Sequence, residues 1–147
     1  MMAQLSLISH IEHLCTILNA EFSVQPHLRI VFGGDDINGA CNVLYHRKKM
    51  YIAIYLPWKY TYTEKTKNLL TCLLTHEFAH YLWSLKLSSE ERVVDTRKYL
   101  NSKKFKRLDE YRTWKCTAKI LKSMGWWNAE IRRSCLSFVY SWRVKDE

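Results

Sequence analysis

The chain has 147 residues, which we read as a single domain spanning 1–147 with room for a real core and no need of covalent staples. Hydrophobic residues make up 48% and charged ones 25%, which excludes a disordered or collagen-like chain, and the net charge of +9 points to an acidic partner, either nucleic acid or protein. No basic segment with an apolar run and cleavage site opens the chain, and no stretch is long enough for a bilayer; the five scattered cysteines contain no C-x-x-C, so we expect reduced thiols in a cytoplasmic protein away from membranes.

Residues 3–20 carry Leu5, Ile8, Ile11, Cys15 and Leu18 at spacings of three and four, which predicts an amphipathic helix. His10 and His13 lie within it without a carboxylate partner and read as surface histidines. After Pro26, Leu28–Phe32 reads as a first strand. Gly33-Gly34-Asp35-Asp36 and Asn38-Gly39 are turn chemistry, predicting a loop or hairpin. The paired aspartates have an alternative use as cation ligands, but the turn explains both. Ala40–Tyr45 and Met50–Leu56 read as second and third strands joined by a basic turn, His46–Lys49. Trp58, Tyr60 and Tyr62, interleaved with Lys59, suit either base stacking or a cover over the connection to the next helix, and the cover is the simpler reading.

Thr63 caps a predicted long helix to Leu85. Ser88 and Glu91 have capping-box spacing and open a helix to about Leu100. Lys103–Arg107 is a basic loop or helix start, Leu108 to about Met124 a further helix stopped by Gly125. Asn128 caps a last helix to about Val144, whose stripe of Ile131, Cys135, Phe138 and Trp142 belongs to the core. The class is α+β: an N-terminal helix, a small three-stranded sheet, one long helix and C-terminal helices. The clusters Arg47-Lys48-Lys49, Lys103–Arg107 and Arg132-Arg133 read as solvated faces unless nucleic acid meets them.

Within the long helix stands His76-Glu77-Phe78-Ala79-His80, an H-E-x-x-H pentad. Residues i and i+4 share a helix face, so both imidazoles can meet one metal ion with Glu77 beside it as a base. Leu73, Leu74, Tyr81 and Leu82 make the surroundings apolar, where two histidines and a glutamate are costly unless a cation compensates them. A catalytic zinc takes three protein ligands. No histidine follows His80, which disfavours metzincins and the SprT/Spartan type and leaves a carboxylate from a later helix. Glu90, Glu91, Asp95, Asp109, Glu110 and Glu130 are the candidates. Glu90 and Glu91 suit capping, and Glu130 suits a helix's first turn. Glu110 is followed at i+3, i+7 and i+11 by Thr113, Thr117 and Leu121, a face small enough for close packing on the pentad helix. Glu110 is therefore the expected third zinc ligand, with Asp109 next.

These features resemble the ImmA/IrrE-type metallopeptidases, compact gluzincins common in bacteria, phages and mobile elements. The resemblance covers about residues 28–122 and rests chiefly on the pentad. In that family the glutamate helix tends to read E-x-x-A-[ND]-x-F-A-x-x-L-[LM]; here Glu110, Thr113, Trp114, Cys116, Thr117 and Ile120-Leu121 stand at those places. Trp114 replaces the polar residue, so the hydrogen bond that orients a ligand histidine must come from elsewhere. The resemblance implies cleavage of a protein partner, often a transcriptional repressor. The chemistry expected is peptide-bond hydrolysis assisted by Zn2+ on His76, His80 and Glu110, with Glu77 as general base and Tyr99, Tyr111 or Arg112 as candidate oxyanion donors. Met50–Leu56, if an edge strand, would hold an extended substrate. The rival expectation is a basic zinc-containing module that binds nucleic acid or protein with little or no proteolysis.

Overall fold

A computed structural model describes residues 2–44 and 49–146, without the side chains of residues 3, 40–49 and 140–146. Most of the expected turn His46–Lys49, its cationic side chains, and the side chain of Trp142 lie outside the described residues. The order is α1 (Met2–Phe22), β1 (His27–Phe32), β2 (Asn38–Leu44), β3 (Lys49–Leu56), α2 (Glu64–Leu85), α3 (Ser89–Asn101), α4 (Lys103–Ser123) and α5 (Ala129–Asp146). This is the expected α+β arrangement: a helix, a three-stranded sheet, the pentad helix and a C-terminal helical group.

Helix starts follow the predicted caps. The Thr63 hydroxyl accepts from the Thr66 amide at 3.2 Å, Ser88 and Glu91 close a full capping box, and the Asn128 side chain accepts from the Ile131 amide at 2.9 Å. Of the two readings of Lys103–Arg107, the helix start holds, because Ser102 caps α4 by accepting from the Phe105 amide at 3.2 Å. Gly125, at φ +74°, ends α4 in the left-handed region that favours glycine.

The strand order is β1-β3-β2, with β1 parallel and β2 antiparallel to β3. β3 is thus the central strand, not an edge. Its Ile52, Ala53, Ile54 and Leu56 are all buried, between the paired strands β1 and β2 and beneath α2. β2 is an edge, and it packs against α2. The expected turn at Asn38-Gly39 is instead the start of β2, and the bend between β1 and β2 falls at Gly33 and Gly34, both at positive φ.

Leu7, Ile11, Leu14 and Leu18 of α1 meet β3 and Leu70, Leu74 and Phe78 of α2 in the main core. Each such side chain contributes about 1.5–3 kcal/mol on burial. Leu5, expected on this face, is 58% exposed, since Leu7 and Leu14 occupy the buried stripe. A second cluster of Cys72, Leu121, Ile131 and Cys135 ties α2 to α4 and α5. α2 therefore runs through the middle of the molecule, with apolar groups on several sides.

Candidate metal centre

α2 and α4 bring His76, His80 and Glu110 together, with one ligand atom from each within 4.8 Å of the others. His76 Nε2 lies 2.8 Å from Glu110 Oε2 and His80 Nε2 lies 3.1 Å from Glu110 Oε1. The two carboxylate oxygens thus face one imidazole each. Glu77 is buried beside them on α2. Glu90 and Glu91 stay at the α3 cap, and Glu130 pairs with Arg133 on α5. His10 and His13 lie on α1, the first bonding Lys67 and Thr71 and the second exposed, as expected of non-ligands.

The outer face of the histidines is set by α4. Thr117 Oγ1 donates its one proton to the Thr113 carbonyl at 2.7 Å, so toward His76 Nδ1, 3.2 Å away, it can only accept. Thr113 repeats the device one turn earlier: its hydroxyl donates to the Asp109 carbonyl at 2.7 Å and faces His80 Nδ1 at 3.5 Å. Asp109 Oδ2 stands 3.9 Å from the same Nδ1. Both rings are thereby held with a proton on Nδ1 and Nε2 turned inward. Trp114, in the place where the resembled family has a polar residue, stacks flat on His76 with centroids 3.9 Å apart, and Phe138 stacks on Trp114 at 5.7 Å. The orienting bond to His76 therefore comes from Thr117, one turn further along.

The chemistry of these donors suits a cation. With Nδ1 protonated, Nε2 presents a lone pair to an acceptor carboxylate, and two acceptors at 2.8 Å repel unless a proton or a metal ion joins them. Protonating His76 is opposed by burial, which pushes it down to about 4. Burial pulls on His80 too, but Glu110, Glu77 and Asp109 outweigh it and raise it to about 9. Burial opposes ionisation of Glu110 as well, yet its bonds to both histidines hold it below the usual carboxylate range. One divalent ion satisfies both rings and the carboxylate together. Two imidazole nitrogens and one carboxylate oxygen are the donor set of a catalytic zinc. This is a gluzincin-type zinc site.

Around the centre opens a cavity of about 520 Å³. Glu77, Tyr99 and Lys106 reach it, and Leu69, Leu73 and Phe138 make an apolar wall. Burial pushes Glu77 up to about 7. Tyr99, from α3, donates to Glu110 Oε1 at 2.7 Å, and burial next to that carboxylate raises its hydroxyl above the usual range. Of the three candidate oxyanion donors only Tyr99 lines the cavity. Tyr111 is 52% exposed, while Arg112 bonds Asp109 at 2.6 Å and covers the Trp83 ring at 4.1 Å. Gly39 of β2 was not foreseen as part of the site. A Cβ there would stand 2.9 Å from Glu77 Cγ, so only glycine lets the base lie against the strand. Asn-Gly in a sequence signals a turn, which hid this role.

No protein-family model matches the chain, and comparisons with curated proteins and with solved structures find no match either.

Proposed function

We propose that this protein is a zinc-dependent metallopeptidase that cleaves a peptide bond in a protein partner. The observation that carries the reading is the convergence of His76, His80 and Glu110 on one point with buried Glu77 beside them at a 520 Å³ cavity. Zinc in that set supplies the Lewis acidity that polarises a carbonyl and makes water acidic near pH ~7. Glu77, poised at about 7, takes the proton of the attacking water and delivers it to the departing amine. Tyr99, already at the rim of the centre, turns its hydroxyl from Glu110 toward the carbonyl oxygen where negative charge gathers. Leu73, Trp114 and Phe138 exclude water on one side. The edge strand β2, beside α2, replaces β3 as the place where an extended substrate adds a strand.

Glu77→Gln is the deciding variant. It keeps shape and hydrogen bonding but cannot accept the proton, so zinc content and thermal stability should hold while the cleavage rate falls by about 100-fold or more. Unchanged cleavage would overturn the peptidase reading. The resemblance favours a transcriptional regulator as substrate, tested by co-expression with candidate partners, and the scattered cysteines favour a cytoplasmic site of action, tested by cell fractionation. No helix among the described residues is long and apolar enough to cross a membrane. A second reading, a zinc-containing module that binds nucleic acid or protein, is supported by exposed Lys103, Lys104 and Arg107 at the start of α4. In that case reversing their charge would abolish the biological effect and Glu77→Gln would leave it intact.

A further inference from the structure

Away from the metal centre, Cys72 of α2 and Cys135 of α5 bring their sulfurs to 3.2 Å. A disulfide spans ~2.05 Å, so the sulfurs need approach by only about 1.1 Å. Both thiols are free and buried, Cys72 completely, whereas Cys135 keeps 8% exposure. The second contact of Cys72 is the Ile131 carbonyl, 3.4 Å away, and the rest of the pocket is apolar: Leu121, Ile131, Trp126 and Phe138. Neither thiol serves the hydrolytic mechanism. Cys72 donates to the Ile131 carbonyl and accepts from Cys135, and of the two residues only Cys135 keeps any exposure to solvent.

We propose that Cys72 and Cys135 form a reversible thiol–disulfide site, oxidised by small hydroperoxides. The Cys135 thiolate attacks the terminal oxygen of the hydroperoxide; the O–O bond breaks, an alcohol leaves after protonation, and Cys135 carries a sulfenic hydroxyl. The Cys72 sulfur then attacks the Cys135 sulfur, the S–O bond breaks, and the hydroxyl departs as water with the Cys72 proton. Two electrons pass from the thiols to the peroxide. The product staples α2 one turn before His76 to α5 one turn before Phe138, the outer ring of the His76–Trp114–Phe138 stack. It braces the wall of the centre from behind.

The test uses the full chain with the exposed thiol removed by Cys116→Ser. After tert-butyl hydroperoxide, intact mass should fall by ~2 Da, for two hydrogens lost, and peptide mapping should find Cys72 joined to Cys135. Dithiothreitol should reverse both changes, and the oxidised protein should melt several degrees higher, because the cross-link closes a 63-residue separation. The rise should vanish in Cys116→Ser/Cys135→Ala. Mapping that finds Cys72 and Cys135 both alkylated as free thiols at an oxidant dose that has consumed other cysteines, or either one joined to Cys15 or Cys41, would overturn the proposal. These readouts need neither zinc nor cleavage, so their failure and that of the peptidase reading are separate results.

Discussion

Thr117 gives its proton to a backbone carbonyl and so meets His76 as a pure acceptor, which leaves the imidazole lone pair on the metal side. Thr117→Val keeps the volume but withdraws that acceptor. Zinc affinity, read by competition with a chromophoric chelator, should weaken about 10–100-fold, the usual range for a lost orienting partner, and Thr117→Ser should restore it. An unchanged affinity in the valine variant would show that stacking on Trp114 alone orients the ring. His80 provides a second test. Raised to about 9, it holds a proton at neutral pH that zinc must displace. Zinc uptake at pH 7 should therefore release about one proton from this ring, and affinity should climb about tenfold per pH unit until roughly pH 9. Calorimetry in buffers of different ionisation enthalpy measures the release. Zinc uptake without proton release would mean that His80 is already neutral.

Among the elements, β2 has the least expected role, because it holds the base rather than the metal. Gly39→Ala would press a methyl group against Glu77 Cγ and displace the carboxylate by several tenths of an ångström. Zinc content should stay normal while kcat drops about 10-fold or more, since positioning errors of this size are felt in the chemical step. Equal rates would show that Glu77 has room to adjust. The helices were largely legible in the sequence, because Thr63, Ser88 and Asn128 carry their caps locally and the spacing of Thr113, Thr117 and Leu121 after Glu110 marks the buried face. The strand order was not legible. It depends on which strand finds a hydrogen-bonded neighbour on each side, and the hint was that Ile52, Ala53, Ile54 and Leu56 make β3 the most apolar of the three. The contact of Gly39 with Glu77 and the stacking of Trp114 on His76 were not legible for a related reason: each acts through a neighbour distant in the chain.

For the molecule as a whole, the metal ligands are part of the helix packing. Zinc that binds only the folded chain should stabilise it by about 4 kcal/mol at a thousandfold excess over Kd, or roughly 10 °C in Tm for a chain of this size. Chelation should remove that increment, and His76→Ala or His80→Ala should abolish the response to zinc. A melting curve indifferent to both zinc and chelator would contradict the site. The pairing of His76 with Thr117 and of His80 with Thr113 has a further consequence. Two residues four apart on α2 meet two residues four apart on α4, running in opposite directions, so the helices engage like the teeth of a key. Sliding α4 by one turn, ~5.4 Å, one way sets Leu121 against His76, where there is no acceptor. Sliding it the other way carries Glu110 a full turn past both Nε2 atoms. Only one register both closes the core and gathers the ligands, so a chain folded out of register cannot load the metal, and zinc content becomes a direct assay of correct helix alignment.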